Sequence, residues 1–375
     1  MPKSLFRRLT KKFFIITNLI IAVLFLLGCY ASWFNPNTFW FLGLLTLSAF
    51  YLLLLLLCFI LFWLFVKPFW CIISVLTITL AYKPVSNIFP FRISANFSKQ
   101  KSQSAIRVMS WNVEHFDILE HKTHPEKKEQ MIGLINDYAP DIVLFQEMVG
   151  GDKNENAINY VPNFAQQLSM PEYHYSYNPK LDFDGNHHFG IIIFSKYPII
   201  NKQTVGTYPN DYNSIFQYAD IVKDTDTVRV FNLHLQSLRF SSTNLQYIEK
   251  PTVKDEKDIK ETKNIVYKLK TGFLKRKIQA DRINEEIAKS PYPVIVCGDF
   301  NDVPNSYAYC TVGKNLQNAF VQKGAGIGRT FNAISPTLRI DNIFADKRFT
   351  VLQYTSNKKN LVDHYPVIAD LQLNK

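Results

Sequence analysis

Residues 294–301 read Val-Ile-Val-Cys-Gly-Asp-Phe-Asn: four apolar residues, a glycine, then an acid, an aromatic ring and an amide. A short apolar run closed by turn-forming residues marks a buried strand. Chemistry-bearing side chains tend to lie where such a strand runs out into a loop. The same arrangement recurs on either side of it. Ser110-Trp111-Asn112-Val113-Glu114 ends the run Ile106–Trp111, and Gln146-Glu147 ends Ile142–Phe145. Asn232-Leu233-His234 lies at the end of Val228–Leu235, Arg339-Ile340-Asp341 opens Ile340–Phe344, and Asp363-His364-Tyr365-Pro366 precedes Val367–Leu371. With Ile191–Phe194 these runs give seven expected strands. Helical patterns fall between only some of them, at Pro125–Tyr138, Ile158–Leu168 and Asn264–Ala288. A doubly wound parallel sheet needs a helix at every crossover. Two facing sheets with helices outside therefore fit residues 105–375 better.

Singly, each polar residue has an ordinary structural reading: Asn112 as a turn residue, Glu147 as a helix cap, His234 as a hydrogen-bonded histidine in a half-buried strand. Together they are hard oxygen donors with two histidines and an amide. No Cys/His spacing suits zinc, whereas Glu147, Asp363, Asn112 and Glu114 suit Mg²⁺ or Mn²⁺. Such a set matches phosphoester hydrolysis, in which a carboxylate orients water and cationic donors stabilise charge on the phosphoryl oxygens.

The ordered motifs WN, QE, NLH, GDFN, RID and DH resemble those of the endonuclease/exonuclease/phosphatase superfamily, over about residues 105–373. The phrases FSKYPII and SPYPVIVCGDFND resemble a membrane-anchored bacterial branch of it. The resemblance implies an α/β fold, a four-layered αββα sandwich of two packed mixed sheets flanked by helices, with the active site at one end. It implies that Asn112, Glu147 and Asp363 hold the divalent metal and that Asp299 orients and deprotonates the attacking water. Asn301 and His234 would bind the phosphate, and His364, paired with Asp341, would donate to the phosphoryl oxygens. Val362 stands where Ser usually precedes the Asp. Glu114 occupies a position that is a metal ligand only in some members. The implied substrate is nucleic acid, with a phospholipid, sphingomyelin-type lipid or inositol phosphate as the alternative; a catalytically silent binding module is the third reading. His187 and His188 read as loop histidines outside this set.

Ahead of this domain the chain is greasy. Phe13–Ala31 carries no charge, and Phe39–Tyr82 is interrupted only by Lys67-Pro68. A ~30 Å hydrocarbon core takes about 20 apolar residues per helical pass. Three spans are expected within residues 1–92, at about 13–31, 39–66 and 69–88, followed by a polar linker at 93–104. No A-x-A site suggests a cleaved leader, Leu26-Leu27-Gly28-Cys29 only loosely resembles a lipoprotein cleavage box, and the five cysteines give no disulfide framework.

The charge balance depends on this division. The net charge is +11, yet residues 1–104 hold ten Lys/Arg and no Asp or Glu, so residues 105–375 carry only +1. Within them Gln236–Lys277 has eleven Lys/Arg against five Asp/Glu, an exposed basic segment that reads as a solvated face or as a flap meeting phosphates or anionic headgroups. Five basic residues before the first span, none in the Ser32–Thr38 loop, and Lys67 in the next place the N-terminus inside. The expectation is a multi-pass protein of a bacterial inner membrane with its catalytic domain extracytoplasmic. Disorder is excluded by 47% hydrophobic content.

Overall fold

The computed structural model describes residues 3–93, 96–120, 125–151, 158–178, 187–206, 215–252 and 256–374. Ser94 and Ala95 of the expected linker, and Lys254 and Asp255 of the basic segment, lie outside the described residues.

The N-terminal third is helical: α1 (Lys3–Cys29), the single turn α2 (Pro36–Phe39), α3 (Leu42–Val66), α4 (Cys71–Leu80) and α5 (Tyr82–Ile88). Phe6–Cys29 and Leu42–Val66 are long and apolar enough to cross a membrane, each about 36 Å at ~1.5 Å per residue. The third expected span is not one straight helix. Pro68–Leu80 and Tyr82–Ile88 meet at 74°, next to Lys83-Pro84, where a proline early in α5 cannot supply the backbone N–H of a continuing helix. Gly28 lets α1 and α3 close up, since a Cβ there would lie 2.7 Å from the Leu45 carbonyl oxygen. Thr46 Oγ1 donates to the Gly28 carbonyl oxygen across the same contact (2.9 Å).

Twelve strands follow, in two six-stranded mixed sheets. In chain order they are β1 (Ala105–Asn112), β2 (Ile142–Gly151), β3 (Glu172–Tyr177), β4 (His187–Ser195), β5 (Ile199–Gly206), β6 (Ile215–Lys223), β7 (Asp226–His234), β8 (Val294–Asp299), β9 (Leu316–Asn318), β10 (Asp341–Asp346), β11 (Phe349–Ser356) and β12 (Val367–Leu373). One sheet runs β11-β12-β1-β2-β4-β3 and the other β5-β6-β7-β8-β10-β9. Within each, one central pair is parallel, β1 with β2 and β7 with β8.

Strand side chains alternate between faces, and the two faces have different partners. Ile106, Val108, Ile142 and Leu144 of one sheet meet Val228, Val230, Ile295, Cys297 and Ile343 of the other in the middle of the molecule. The opposite face of the first sheet, with Trp111, Val143 and Phe145, is covered by Met131 and Ile135 of α6 (Pro125–Tyr138) and Phe164 of α7 (Val161–Gln167). The opposite face of the second, with Phe231 and Val296, is covered by α9 and α10. Here α8 is Ser242–Glu249, α9 Glu256–Ala288, α10 Tyr307–Val312 and α11 Ala319–Lys323. The four layers are helix, sheet, sheet, helix, as the sequence predicts.

The stretch after the described gap is laid along the domain. Arg107 donates to the Ser98 and Lys99 carbonyl oxygens and forms a buried pair with Asp370 at 2.7 Å.

Candidate active site

The period of two that builds the middle layer also builds the site. On β1 the inward face reads Ile106, Val108, Ser110, Asn112; on β7 it reads Val228, Val230, Asn232, His234; on β8 it reads Ile295, Cys297, Asp299. Each face is apolar at one end and polar at the other. Register aligns the polar ends: Asn112 lies opposite Gln146, His234 opposite Asp299, and Asp299 opposite Asp341. A hydrogen-bonded rung links the two sheets just beneath. Gln146 Nε2 donates to Asn232 Oδ1 (2.7 Å), and Asn232 Nδ2 donates to the Phe145 and Ile192 carbonyl oxygens.

Two positions break the strand rules to complete the cluster. Between Phe145 and Met148 the β2–β4 register shifts, and Glu147 adopts φ +59°. Bulges of this kind re-aim a side chain, and Glu147 Oε1 comes within 3.4 Å of Asn112 Nδ2 and 3.6 Å of His234 Nε2. Gly298 has φ +141°, and a Cβ there would lie 1.9 Å from the Leu233 carbonyl oxygen. Only glycine fits, so the G of GDFN is what allows Asp299 to follow β7 so closely.

Around Asp299 the contacts are dense. The Asn301 backbone N–H donates to Asp299 Oδ1 (2.7 Å), while Asn112 Nδ2 and Asn301 Nδ2 both donate to Oδ2 (3.2 Å). His234 Nε2 and His364 Nε2 lie 3.6 and 3.8 Å from the same oxygen. His364 Nδ1 faces Asp341, 3.0 Å from Oδ2. Its main chain is held by Trp111, whose Nε1 donates to the His364 carbonyl oxygen (2.9 Å). Asp363 and Glu114 close the rim: the Asp363 N–H donates to Glu114 Oε2 (3.3 Å), and the Glu114 N–H to Asn112 Oδ1 (3.1 Å). Thus the structure brings together all nine residues singled out in the sequence.

Burial and crowding set the charge states. Burial, with Asp341 adding repulsion, raises Asp299 well above the usual carboxylate range, against the pull of His364. Burial, helped by Glu147 and Asp341 and opposed by His364, raises Asp363 from its ordinary value. Burial would depress His364, but Asp341 and Asp299 outweigh it and hold the imidazole well above its ordinary value. His234 is pushed down to about 4 by burial. Burial opposes ionised Glu147, yet His115, His234 and His364 prevail and hold it below its usual range. The contrast between the histidines is one of proton inventory: His364 is a donor at neutral pH, and His234 is neutral.

His115 is the residue that the motifs missed. Its Nε2 lies 3.3 Å from Glu147 Oε2 and its ring packs edge-on against Phe189. It lies in a tight turn where Glu114, His115 and Phe116 all have positive φ, and no periodicity marks such a turn. His187 and His188 are structural: His187 Nε2 accepts from the Ile158 N–H, and His188 is buried and stacked on Tyr177. The basic segment is partly consumed within the fold. Arg276 is buried against Asp302 (3.0 Å), Lys277 pairs with Asp281, and Lys268 donates to Asn244 and to the Arg239 carbonyl oxygen.

Two groupings can hold a cation. Asp299, Asp341 and His364 offer ligand atoms within 4.8 Å of one another. The other is the set the sequence resemblance implies, Glu147, Asp363 and Asn112, in which Glu147 Oε1 lies 3.4 Å from Asn112 Nδ2. Asp363 Oδ1 is buried with no hydrogen-bond partner among the described residues, His364 Nε2 standing 3.9 Å away, so it is an acceptor lacking a hydrogen-bond donor. The hard oxygen donors and this orphaned atom fit Mg²⁺ or Mn²⁺. Asn112 as placed directs Nδ2 at the carboxylates. The isosteric amide flip would direct Oδ1 there instead.

Comparison with known proteins agrees with this geometry. A domain of unknown function, DUF8431, matches residues 11–88. No curated protein matches the chain. Among solved structures, an endonuclease/exonuclease/phosphatase from Beutenbergia cavernae is 18% identical, with 72% of each chain covered and a TM-score of 0.53. One from Bacteroides vulgatus is 20% identical, covering 72% of this chain and all of that one, at 0.52. A third, from Bacteroides thetaiotaomicron, is 16% identical, covering 73% of this chain and all of that one, at 0.51. They share its fold. The Endonuclease/Exonuclease/phosphatase family model matches residues 109–361, and the chain belongs to that family.

Proposed function

We propose that this chain is a divalent-metal-dependent phosphoester hydrolase anchored in a membrane. The observation that carries the reading is the convergence of Glu147, Asp299, Asp341 and Asp363 on His234 and His364, with no hydrogen bond to Asp363 Oδ1 among the described residues. Glu147, Asp363 and flipped Asn112 would hold Mg²⁺ or Mn²⁺, with Glu114 at the rim. When bound, the ion would neutralise charge on the phosphoryl oxygens. In the alternative grouping His364 Nδ1 is already taken up by Asp341 at 3.0 Å, so those two residues pair with each other instead.

The chain's own groups perform the remaining work. Asp299, raised toward neutrality and fixed by the Asn301 backbone and side-chain N–H groups, takes a proton from the attacking water. His234, neutral beside it, and Asn301 hydrogen-bond the phosphate. His364, kept cationic by Asp341, donates to the phosphoryl oxygens as their charge grows.

The sequence favours nucleic acid as substrate. The spending of Arg276, Lys268 and Lys277 on internal bonds takes away cations that non-specific nucleic-acid binding requires. On sidedness, Lys11 lies over the Trp70 ring at one end of the helical bundle, and the domain docks at the other, where Asn87 donates to Asn305. Lys83, Arg92, Lys99 and Lys101 lie at the domain's end, against Lys3, Arg7, Arg8, Lys11, Lys12 and Lys67 at the other; the larger group marks the cytoplasmic side, so the domain faces away from it.

Binding tests the metal assignment independently of turnover. Titration of the full chain with Mn²⁺, followed by electron paramagnetic resonance, should show a site that Glu147→Gln and Asp363→Asn each weaken by about 10–100-fold, a loss of the scale seen on disturbing a metal's shell. Unchanged affinity in both, with loss in Asp341→Asn, would move the ion to the other grouping.

A further inference from the structure

A cavity of about 270 Å³ opens beside the site. Its lining includes the site residues Asn301 and Asp363 and, from the long apolar helix α3, Leu47. Most of the remainder is apolar, with Leu238, Leu269, Phe273 and Leu338. Two arginines also line it: Arg276 is committed to Asp302 and to the Gln236 carbonyl oxygen, and Arg239 is exposed. The helix that spans the bilayer and the helix that roofs the site are in direct contact. A Cβ on Gly43 would lie 2.6 Å from the Phe273 ring, and Tyr51 of α3 is hydrogen-bonded to Ser335 in the loop before β10 (3.1 Å). At the bilayer end, Lys270 of α9 stands 5.4 Å from the Trp40 ring, and α9 exposes Ile259 and Tyr267. An apolar face with lysines beside an interfacial tryptophan is the chemistry of a helix lying at a membrane surface.

We infer that the substrate is a phosphoester borne on a lipid, whose hydrocarbon chain enters this cavity from the bilayer and sets the phosphoester against Asn301 and Asp363. The inference rests on the hydrolase reading above. The cavity is a little smaller than the ~300–1,000 Å³ of a typical small-molecule site, so it takes the part of a chain nearest the phosphate while the remainder stays in the membrane. Nucleic acid asks for a row of cations along a backbone track with rings for the bases, whereas most of this lining is aliphatic and aromatic carbon. In the reaction water's oxygen bonds to phosphorus and the phosphorus–oxygen ester bond breaks. The leaving oxygen takes up a proton, giving an alcohol and a phosphate with one ester link fewer.

The test uses the full chain in detergent micelles with Mg²⁺ and three probes: hexadecyl p-nitrophenyl phosphate, methyl p-nitrophenyl phosphate and a single-stranded DNA oligonucleotide. The wild type should favour the hexadecyl over the methyl ester by about 10–200-fold in kcat/KM, the range over which an apolar pocket discriminates. Leu269→Trp and Leu47→Trp, which fill the cavity from α9 and from α3, should each bring that ratio close to one. Hexadecyl phosphate added to the metal-free chain should raise the Tm of the wild type and leave both variants unmoved. A ratio near one in the wild type, or one preserved in both variants, overturns the inference and leaves the hydrolase reading intact. So does cleavage of the oligonucleotide alone. If none of the three is cleaved, the hydrolase reading itself is wrong.

Discussion

Replacing Asp341 by Asn isolates the charge that keeps His364 protonated. Asp341 is 1% exposed and its Oδ2 lies 3.0 Å from His364 Nδ1. At that distance and an effective dielectric of about 20, the gross attraction is about 5–6 kcal/mol, opposed by the burial of both groups. Breaking such a buried pair on one side costs about 3–5 kcal/mol. The substitution is isosteric, and the local backbone has other anchors: Thr330 Oγ1 accepts from the Ile340 and Asp341 N–H groups, and Trp111 holds the His364 carbonyl oxygen. The change is therefore one of charge and not of shape. His364 has a folded pKa above its unfolded value. The pair's contribution to stability is therefore full below about 6.5 and is lost as pH rises through the folded value. In Asp341→Asn this contribution disappears, burial dominates, and His364 is neutral at lower pH. Turnover of a chromogenic phosphodiester should fall about 100- to 10,000-fold, the range of a general acid, with the alkaline limb of the pH–rate profile displaced to lower pH. Near-wild-type kcat with an unmoved alkaline limb would refute the reasoning.

Two further outcomes concern stability. At Glu147, φ of +59° carries a strain of roughly 1–2 kcal/mol for a residue with a Cβ, so Glu147→Gly should unfold in denaturant at higher concentration than Glu147→Ala, reversing the usual penalty for glycine in a strand; the usual order would show that the backbone there is relaxed. Asp299 has its folded pKa above its unfolded one, so with a chelator present the native state gains its charge at a cost as pH rises from about 4. The Tm advantage of Asp299→Asn over the wild type should grow between pH 4.5 and 8, measured at about those limits, and a constant difference would contradict the raised pKa.

Much of the site was legible because one rule generates it. In β1, β7 and β8 the inward residues turn from aliphatic to polar at the end where the two sheets part, and alternation alone marks those ends. The sequence does not announce the bulge that turns Glu147 inward, but Gln146-Glu147 after an apolar run identifies the residue. His115 escaped because it depends on three successive positive φ values and not on a repeat. Of the strands that went unread, β3, β5, β6, β9 and β11, two have little to bury, although β6 is mostly buried. β5 is exposed along most of its length at a sheet edge, and β3 alternates polar and aromatic residues with only Ser176 fully buried. In α9 the first two turns, from Glu256, are charged without an apolar stripe, so the pattern becomes visible only near Asn264. The break in the third span follows from Pro84, whereas the direct seating of α3 against α9 involves contacts distant in sequence, and no local pattern reports them.

The central claim is most directly tested by hydrolysis of bis(p-nitrophenyl) phosphate by the purified full chain in detergent. It should be measured with Mg²⁺ or Mn²⁺, after chelation, and after the metal is returned. The account predicts turnover that chelation abolishes and metal restores, and that Asp299→Ala, Glu147→Ala and His364→Ala each lower by at least ~100-fold. Turnover indifferent to chelation, or folded variants as active as the wild type, would contradict it.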